Sequence, residues 1–218
     1  MKKYQYIFWD LDGTIINSYE GVINSVRYGL KNFEVTLEGD LRKFIGPPLR
    51  KAFPEICGLS AEDTEEAVRL YRERYNTIGL FECELFPGVK ETMEAFRKAG
   101  FTQVLSSSKP EAQCRQILEH FELTGFLDEI VGARQDGKID TKVQVLREAF
   151  RRLKAKNAGF SLDQVVLIGD TFYDAAGAKE AGIDCVGVSY GFGTEEELLS
   201  YGALAVYPDL ETLQRDFL

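Results

Sequence analysis

The segment best suited to chemistry is DLDGT, residues 10–14, in which Asp10 and Asp12 stand one residue apart. It comes directly after the apolar run YIFW, which is typical of a buried strand. Strands disfavour Asp, and two like charges this close destabilise each other unless a cation lies between them. The glycine then lets the chain turn, and Thr14 supplies a hydroxyl. These residue types indicate a site rather than a surface turn.

Polar groups also follow two other strand-like runs. The apolar run 165–168 leads into Asp170, and the strand predicted over 101–105 ends in a run of serines that includes Ser107. In an open parallel sheet, ligands bind outside the carboxyl ends of the strands. We therefore expect these groups to lie at the same sheet edge as the first segment.

A second carboxylate accompanies Asp170, because Asp174 lies one helical turn further along and can face the same crevice. Together with Asp10 and Asp12, this makes four acidic groups. Four ionised carboxylates cannot be crowded together without a cation. A hard divalent ion with oxygen ligands is expected, and Mg²⁺ is favoured because it accepts a few carboxylates plus waters.

Two lysines are candidate partners for an anion. Lys142 falls in the first turn of a helix that begins near Asp140, where the helix dipole disfavours a cation unless an anionic group is its partner. Lys109 follows the serine run and could also point inward, so the choice between the two stays open.

A metal, a carboxylate nucleophile, a hydroxyl and a lysine together suit phosphoryl transfer. One Asp would form an aspartyl-phosphate, and the other would protonate the leaving oxygen and then activate water.

The elements that must position these groups alternate between strand and helix from residue 86 onward. Runs that are apolar on both faces suit a parallel sheet covered on both sides, with crossover helices. We predict an α/β fold, a doubly wound and mostly parallel Rossmann-like sheet formed by residues 1–14 and 86–218. Residues 15–85 contain no convincing strand and predict an inserted all-helical cap at the mouth of the carboxylate site. A further short strand is predicted over 126–131.

The motifs and their order resemble those of the haloacid dehalogenase-like superfamily over nearly the whole chain. DLDGT resembles the first signature of that family, Ser107 the second, the helix start at Lys142 the third and the segment 169–174 (GDTFYD) the fourth. An insertion between the first two signatures, helical as here, is similar to the small cap of the phosphoglycolate phosphatase-like branch. The triple serine 106–108 departs from the family pattern, which often has Thr or Ser followed by Asn. This departure leaves open which of the three serines supplies the hydroxyl.

The resemblance implies a role for each matching residue. Asp10 would be the nucleophile and Asp12 the general acid and base, while Ser107 and Lys142 would hold the phosphoryl group. By the same resemblance, Mg²⁺ would be bound by Asp10, the backbone carbonyl of Asp12 and Asp170, with Asp174 supporting. These are the sequence's candidate catalytic, phosphate-binding and metal residues. The expected substrate is a small phosphorylated metabolite, with phosphoglycolate as the named guess.

Composition excludes several other classes of protein. The 218 residues carry 26 Lys and Arg against 35 Asp and Glu, a net charge of -9, which disfavours nucleic-acid and anionic-membrane partners. Four scattered cysteines and the single His120 give no zinc, redox or histidine-based hydrolase pattern.

No run approaches a membrane span, and a cytoplasmic protein is expected. No heptad stands out, so the protein is expected to be a monomer or a small homo-oligomer. The GFG at residues 191–193 is interpreted as a loop before a capped helix, since no GxGxxG is present.

Three alternative functions remain open at this stage. A sugar-phosphate phosphomutase would use the same aspartyl-phosphate but return the phosphoryl group to its substrate. A nucleotidase or pyrophosphatase would share the scaffold and differ in the cap and in loops such as 45–50. A non-catalytic phospholigand-binding protein would not need both Asp10 and Asp12, so their presence argues against it.

Overall fold

A computed structural model describes residues 4–134, 136 and 138–218. The chain divides into two compact units, each described by itself here. The larger unit holds the chain up to Ile16 together with Leu85–Leu218, and the smaller unit is Asn17–Glu84. The strands, numbered along the chain, are β1 (Tyr6–Trp9), β2 (Ile16–Asn17), β3 (Glu84–Leu85), β4 (Thr102–Pro110), β5 (Glu129–Ala133), β6 (Val165–Gly169), β7 (Asp184–Val188) and β8 (Val206–Tyr207).

The helices alternate with these strands in the larger unit and form most of the smaller one. They are α1 (Tyr19–Gly29), α2 (Leu49–Cys57), α3 (Ala61–Tyr75), α4 (Val89–Lys98), α5 (Glu111–His120), α6 (Lys142–Lys156), α7 (Phe172–Ala181), α8 (Glu195–Tyr201) and α9 (Leu210–Phe217). Among the described residues, no helix has both the length and the apolar character needed to cross a bilayer. All four cysteines are free.

The large sheet is six-stranded in the order β5-β4-β1-β6-β7-β8, and neighbouring strands in this order pair in parallel. The central strand β1 has its last residue, Trp9, opposite Leu105 of β4 and Ile168 of β6. The carboxyl ends of these three strands therefore meet at one edge of the sheet. This arrangement confirms the predicted α/β class with a parallel, Rossmann-like core.

Helices cover both faces of the sheet, which explains why β1 is apolar at every position. Phe8 lies in a buried cluster with Val145 and Leu146 of α6. On the opposite face, the Trp9 ring lies 6.0 Å from the ring of Phe96 in α4. Each large apolar side chain buried in this way contributes about 1.5–3 kcal/mol, so the double cover holds the central strands rigidly.

The smaller unit is helical except at its two ends. There the structure corrects the expectation of no strand within 15–85, because β2 and β3 pair with each other in a two-stranded sheet. Strands of two residues are too short to show an alternating pattern in sequence. Inside the unit, α1 packs closely on the turn at Gly79. A Cβ atom added at Gly21 would lie 2.0 Å from the Gly79 carbonyl oxygen.

Two strand boundaries also differ from the prediction. The strand predicted over 126–131 is Glu129–Ala133, because Thr124–Phe126 forms a 3₁₀ turn in which the Leu127 N–H donates to the Thr124 carbonyl. Strand β4 continues through the serine run to Pro110, since Ser106 and Ser107 stand opposite Val131 and Gly132 of β5. Pairing between β4 and β5, which no local pattern reports, sets the carboxyl ends of both strands.

Candidate active site

Asp10 lies just beyond the end of β1 and is buried, with 7% of its surface exposed. Its backbone N–H donates to the Ile168 carbonyl at 2.9 Å, which extends the β1–β6 ladder by one residue. The ammonium of Lys142 donates to Asp10 Oδ1 and also to the backbone carbonyl of Ser106 at 3.0 Å. A second ion pair joins Lys142 Nζ to Asp174 Oδ1 at 2.7 Å. One buried lysine therefore links the ends of three elements.

Lys142 reaches this position from the first turn of α6. A capping box, in which Thr141 and Gln144 bond each other's backbone, makes Thr141 the N-cap, so the helix begins at Lys142. The side chain then crosses α7 at Gly177, where an added Cβ would lie 2.6 Å from Lys142 Cγ. Gly177 thus makes room for the lysine. Sequence reasoning missed this glycine, because a Gly in a helix carries no sign of what packs against it.

Asp170 and Asp174 belong to the turn between β6 and α7. Asp170 is fully buried, and Asp174 is 2% exposed. The backbone N–H and the hydroxyl of Thr171 donate to Asp174 Oδ2 at 3.1 and 3.0 Å, so one oxygen caps α7 while the other faces Lys142. Gly169 allows this approach, because a Cβ there would lie 2.4 Å from Asp174 Cβ.

These three carboxylates are arranged as metal ligands would be. Asp10, Asp170 and Asp174 each offer an oxygen, and the three oxygens lie within 4.8 Å of one another. Burial, reinforced by the Asp174 charge and partly offset by Lys142, raises the pKa of Asp10 to about 7. Burial and the charges of Asp174 and Asp10 raise the pKa of Asp170 well above its usual value. One lysine does not balance three buried carboxylates, and a divalent cation with oxygen ligands fits this charge excess.

The raised pKa of Asp10 predicts how stability depends on pH in the absence of metal. A carboxyl whose pKa is near 3.8 unfolded and about 7 folded binds more protons in the folded state, so folding weakens as pH rises from about 4 to 7. Asp10→Asn removes this penalty, and Lys142 keeps Asp174 as its ion-pair partner. We expect the variant to exceed the wild type in free energy of unfolding by on the order of 1–3 kcal/mol at pH 8.

Urea denaturation at pH 5 and pH 8 in chelator measures this difference. The exposed Asp163 offers a matched control, and Asp163→Asn should leave the pH dependence unchanged. A variant at Asp10 that is no more stable than the wild type at pH 8 would show that the ionised Asp10 is not a source of instability.

Asp12 has a different partner. Lys109, from the end of β4, places its Nζ 2.8 Å from both oxygens of the Asp12 carboxylate, and both side chains are mostly buried. The structure thus separates the two candidate lysines, Lys142 with Asp10 and Asp174, and Lys109 with Asp12. The expected metal contact of Asp12 is through its backbone carbonyl, which the cluster of carboxylate side chains does not test.

The three serines of β4 have different surroundings. The Ser106 hydroxyl is buried and donates to the Trp9 carbonyl at 3.5 Å, while its own carbonyl accepts from Lys142. Ser107 is 2% exposed, and its Oγ accepts from the Lys109 N–H at 3.2 Å, which leaves the hydroxyl proton for another acceptor. Ser108 is half-buried. Ser107, whose hydroxyl proton is not used in the bond from Lys109, stays the candidate for phosphate binding.

Comparison with known proteins agrees with this fold. The sequence model of the haloacid dehalogenase-like hydrolase family matches residues 7–188. A 5'-nucleotidase from Pseudomonas aeruginosa is 34% identical over 98% of this chain and 95% of its own length. A phosphoglycolate phosphatase from Rhodospirillum rubrum is 29% identical over 95% of this chain and 88% of its own length. The tyrosine-protein kinase PtkA of Mycobacterium tuberculosis is 35% identical over 87% of this chain, which spans 63% of that protein.

Solved structures show the same relationship. The crystal structure of a predicted phosphatase from Clostridium acetobutylicum superposes with a TM-score of 0.90 and 37% identity, covering 98% of this chain and 97% of the other. The chain therefore belongs to the haloacid dehalogenase-like hydrolase family. Within that family it is a phosphatase of the phosphoglycolate phosphatase-like branch.

Proposed function

We propose that this phosphatase hydrolyses a small phosphomonoester through an aspartyl-phosphate on Asp10, with Mg²⁺ as its cofactor. The observation that carries the proposal is the contact of a buried Asp10 with Lys142, inside a cluster of carboxylates that share one small volume. A nucleophilic carboxylate and a cation beside it are the groups that in-line attack on a phosphorus atom requires.

Each residue would act at a stated atom. Asp10 would attack the phosphorus, and Lys142 and the Ser107 hydroxyl would bind the non-bridging oxygens as charge moves onto them. Asp12 would protonate the leaving oxygen and then take a proton from the water that hydrolyses the aspartyl-phosphate. Asp10, the Asp12 carbonyl and Asp170 would hold Mg²⁺, supported by Asp174. When bound, the ion supplies positive charge that offsets the carboxylates and the phosphoryl group.

Lys109 would hold the Asp12 carboxyl toward the leaving oxygen. The loss of kcat on removing Lys109 should therefore depend on which alcohol the substrate releases. Lys109→Met is expected to lower kcat about tenfold or more on an alkyl phosphate, whose leaving oxygen needs a proton. The loss should be smaller on p-nitrophenyl phosphate, whose leaving group departs unprotonated. Steady-state kinetics on the two substrates measures the difference, and Lys109→Arg should restore part of it. Equal losses on both substrates would remove Lys109 from the protonation step.

The substrate class that we place first is the nucleoside 5'-monophosphates. The 5'-nucleotidase is the relative named above that covers nearly all of this chain at 34% identity, against 29% for the phosphoglycolate phosphatase. Phosphoglycolate comes second, from the branch to which the chain belongs. Pyrophosphate and sugar phosphates are the further candidate substrates.

The experiment is a phosphate-release screen over these compounds with the purified protein. We expect release from a generic aryl phosphate and from one metabolite class, loss of activity with chelator, and recovery with Mg²⁺. Hydrolysis that persists in chelator would overturn the cofactor assignment. Conversion of a hexose phosphate to its isomer without release would favour a phosphomutase. Binding of a phosphorylated ligand without turnover of any compound would favour a sensor, and transfer of a phosphoryl group to tyrosine would favour a kinase.

A further inference from the structure

The loop that follows β7 has no role in the mechanism above. Its sequence is SYGFG, residues 189–193, and it leads into α8, whose N-cap is Thr194. The sequence predicts a loop before a capped helix at residues 191–193. In the structure, the loop lies against Asp170, one of the carboxylates of the cluster.

Both oxygens of Asp170 are held by hydrogen bonds. The backbone N–H of Phe192 donates to Oδ2 at 2.7 Å. The hydroxyl of Thr14 donates to Oδ1 at 3.3 Å, from the end of the DLDGT segment. The carboxylate is therefore oriented by two segments that are far apart in the sequence. Such partners fix the direction in which a carboxylate presents its remaining lone pairs to a ligand.

Glycines on both segments allow them to close around Asp170. Gly13 has φ +93°, and a Cβ there would lie 1.9 Å from Asp170 Oδ2. A Cβ at Gly191 would lie 2.4 Å from Asp170 Cβ and 2.4 Å from the Gly13 carbonyl oxygen. A side chain at either position would push the carboxylate or the backbone out of place. The space around Asp170 is thus shaped from both sides.

Tyr190 joins the two segments. Its hydroxyl donates to the Thr14 carbonyl at 2.9 Å, so the loop is bonded to the residue whose own hydroxyl holds Asp170. Its ring packs on Phe86 with the ring centroids 4.6 Å apart, and the Phe86 N–H in turn donates to the Ile15 carbonyl. The tyrosine is therefore fixed by packing, and its hydroxyl ties the loop to the first segment.

We propose that Tyr190 is a positioning residue for metal binding, which acts by holding the loop and Thr14 together so that Asp170 keeps its orientation. This inference rests on the proposed Mg²⁺ site. Outer partners of metal ligands typically change metal affinity 10–100-fold when they are lost. The hydroxyl of Tyr190 acts through one intermediate segment, so we expect an effect near the lower end of that range.

The test measures Mg²⁺ binding itself, by isothermal titration calorimetry on the purified protein. Tyr190→Phe removes the hydroxyl and keeps the ring on Phe86. We expect the Kd for Mg²⁺ to rise about tenfold, with the kcat at saturating Mg²⁺ changed less than threefold. Tyr4 provides a matched control, because it also donates its hydroxyl, to Asp184 Oδ2 at 2.7 Å, at the start of the same strand β7. Tyr4→Phe should leave the Kd unchanged.

A second pair of variants tests whether Mg²⁺ binding needs the close approach of the loop to Asp170. Gly191→Ala is expected to weaken Mg²⁺ binding more than Tyr190→Phe does. Gly125→Ala serves as its control, since a Cβ there meets no atom within 4 Å. Circular dichroism would show that all four variants are folded. A Kd for Tyr190→Phe within twofold of the Tyr4→Phe value would overturn the role of Tyr190 alone. A wild-type protein that binds no Mg²⁺ would overturn the metal site and this inference together.

Discussion

Asp10→Asn is expected to lower phosphate release by at least about 10³-fold, because it removes the group that attacks the phosphorus. The amide oxygen is not a nucleophile, so no aspartyl-phosphate can form, while the size and shape of the side chain are kept. The measurement is steady-state phosphate release at saturating Mg²⁺, together with acid-quench detection of phosphate bound to the protein. The wild type should show phosphate bound to the protein, and the variant should not.

Asp163→Asn gives the matched control for this experiment, since Asp163 is exposed and lies in a 3₁₀ turn before β6. Its activity should equal that of the wild type. Substantial Mg²⁺-dependent hydrolysis by the variant at Asp10 would show that another group attacks the phosphorus. Urea denaturation of the variant at saturating Mg²⁺ separates loss of the nucleophile from unfolding.

Lys142→Met is expected to have the largest effect on stability. The lysine is 7% exposed, and its ammonium contacts Asp10 and Asp174, both of which are buried. Burial alone would lower the pKa of Lys142, but the charges of Asp10 and Asp174 raise it above its usual value, so the ammonium stays charged. Removing one member of a buried ion pair costs about 3–5 kcal/mol, because the partner is left uncompensated. We expect a loss of this size in the free energy of unfolding at pH 8.

Urea denaturation in chelator measures the loss, and phosphatase activity should fall with it. Lys98→Met is the control, because Lys98 pairs with Glu94 at 2.8 Å and both side chains are more than half exposed. That variant should change stability by less than about 1 kcal/mol. The double variant Lys142→Met/Asp174→Asn should regain part of the loss, since one carboxylate fewer is left unpaired. A loss for Lys142→Met no larger than that for Lys98→Met would contradict the electrostatic account.

The sequence by itself determined the class of fold and the family. Apolar runs such as 165–168 report strands that are buried on both faces, and this burial is a local property of the residues. The DLDGT segment is informative for a similar reason, because acidic residues directly after such a run have no structural explanation. The capping signal at Thr194 also marks a helix start through bonds within four residues, and the structure forms this capping box.

Tertiary structure decided which side chains meet. No local pattern separates Lys142 from Lys109; the packing of α6 on α7 and the space left by Gly177 carry the first to Asp10, and the end of β4 carries the second to Asp12. The contacts of the loop 189–193 with Asp170 likewise join residues about 20 positions apart or more. Such pairings depend on the space and the solvent that remain between helices and strands after they pack. A sequence pattern indicates only the helices and strands themselves.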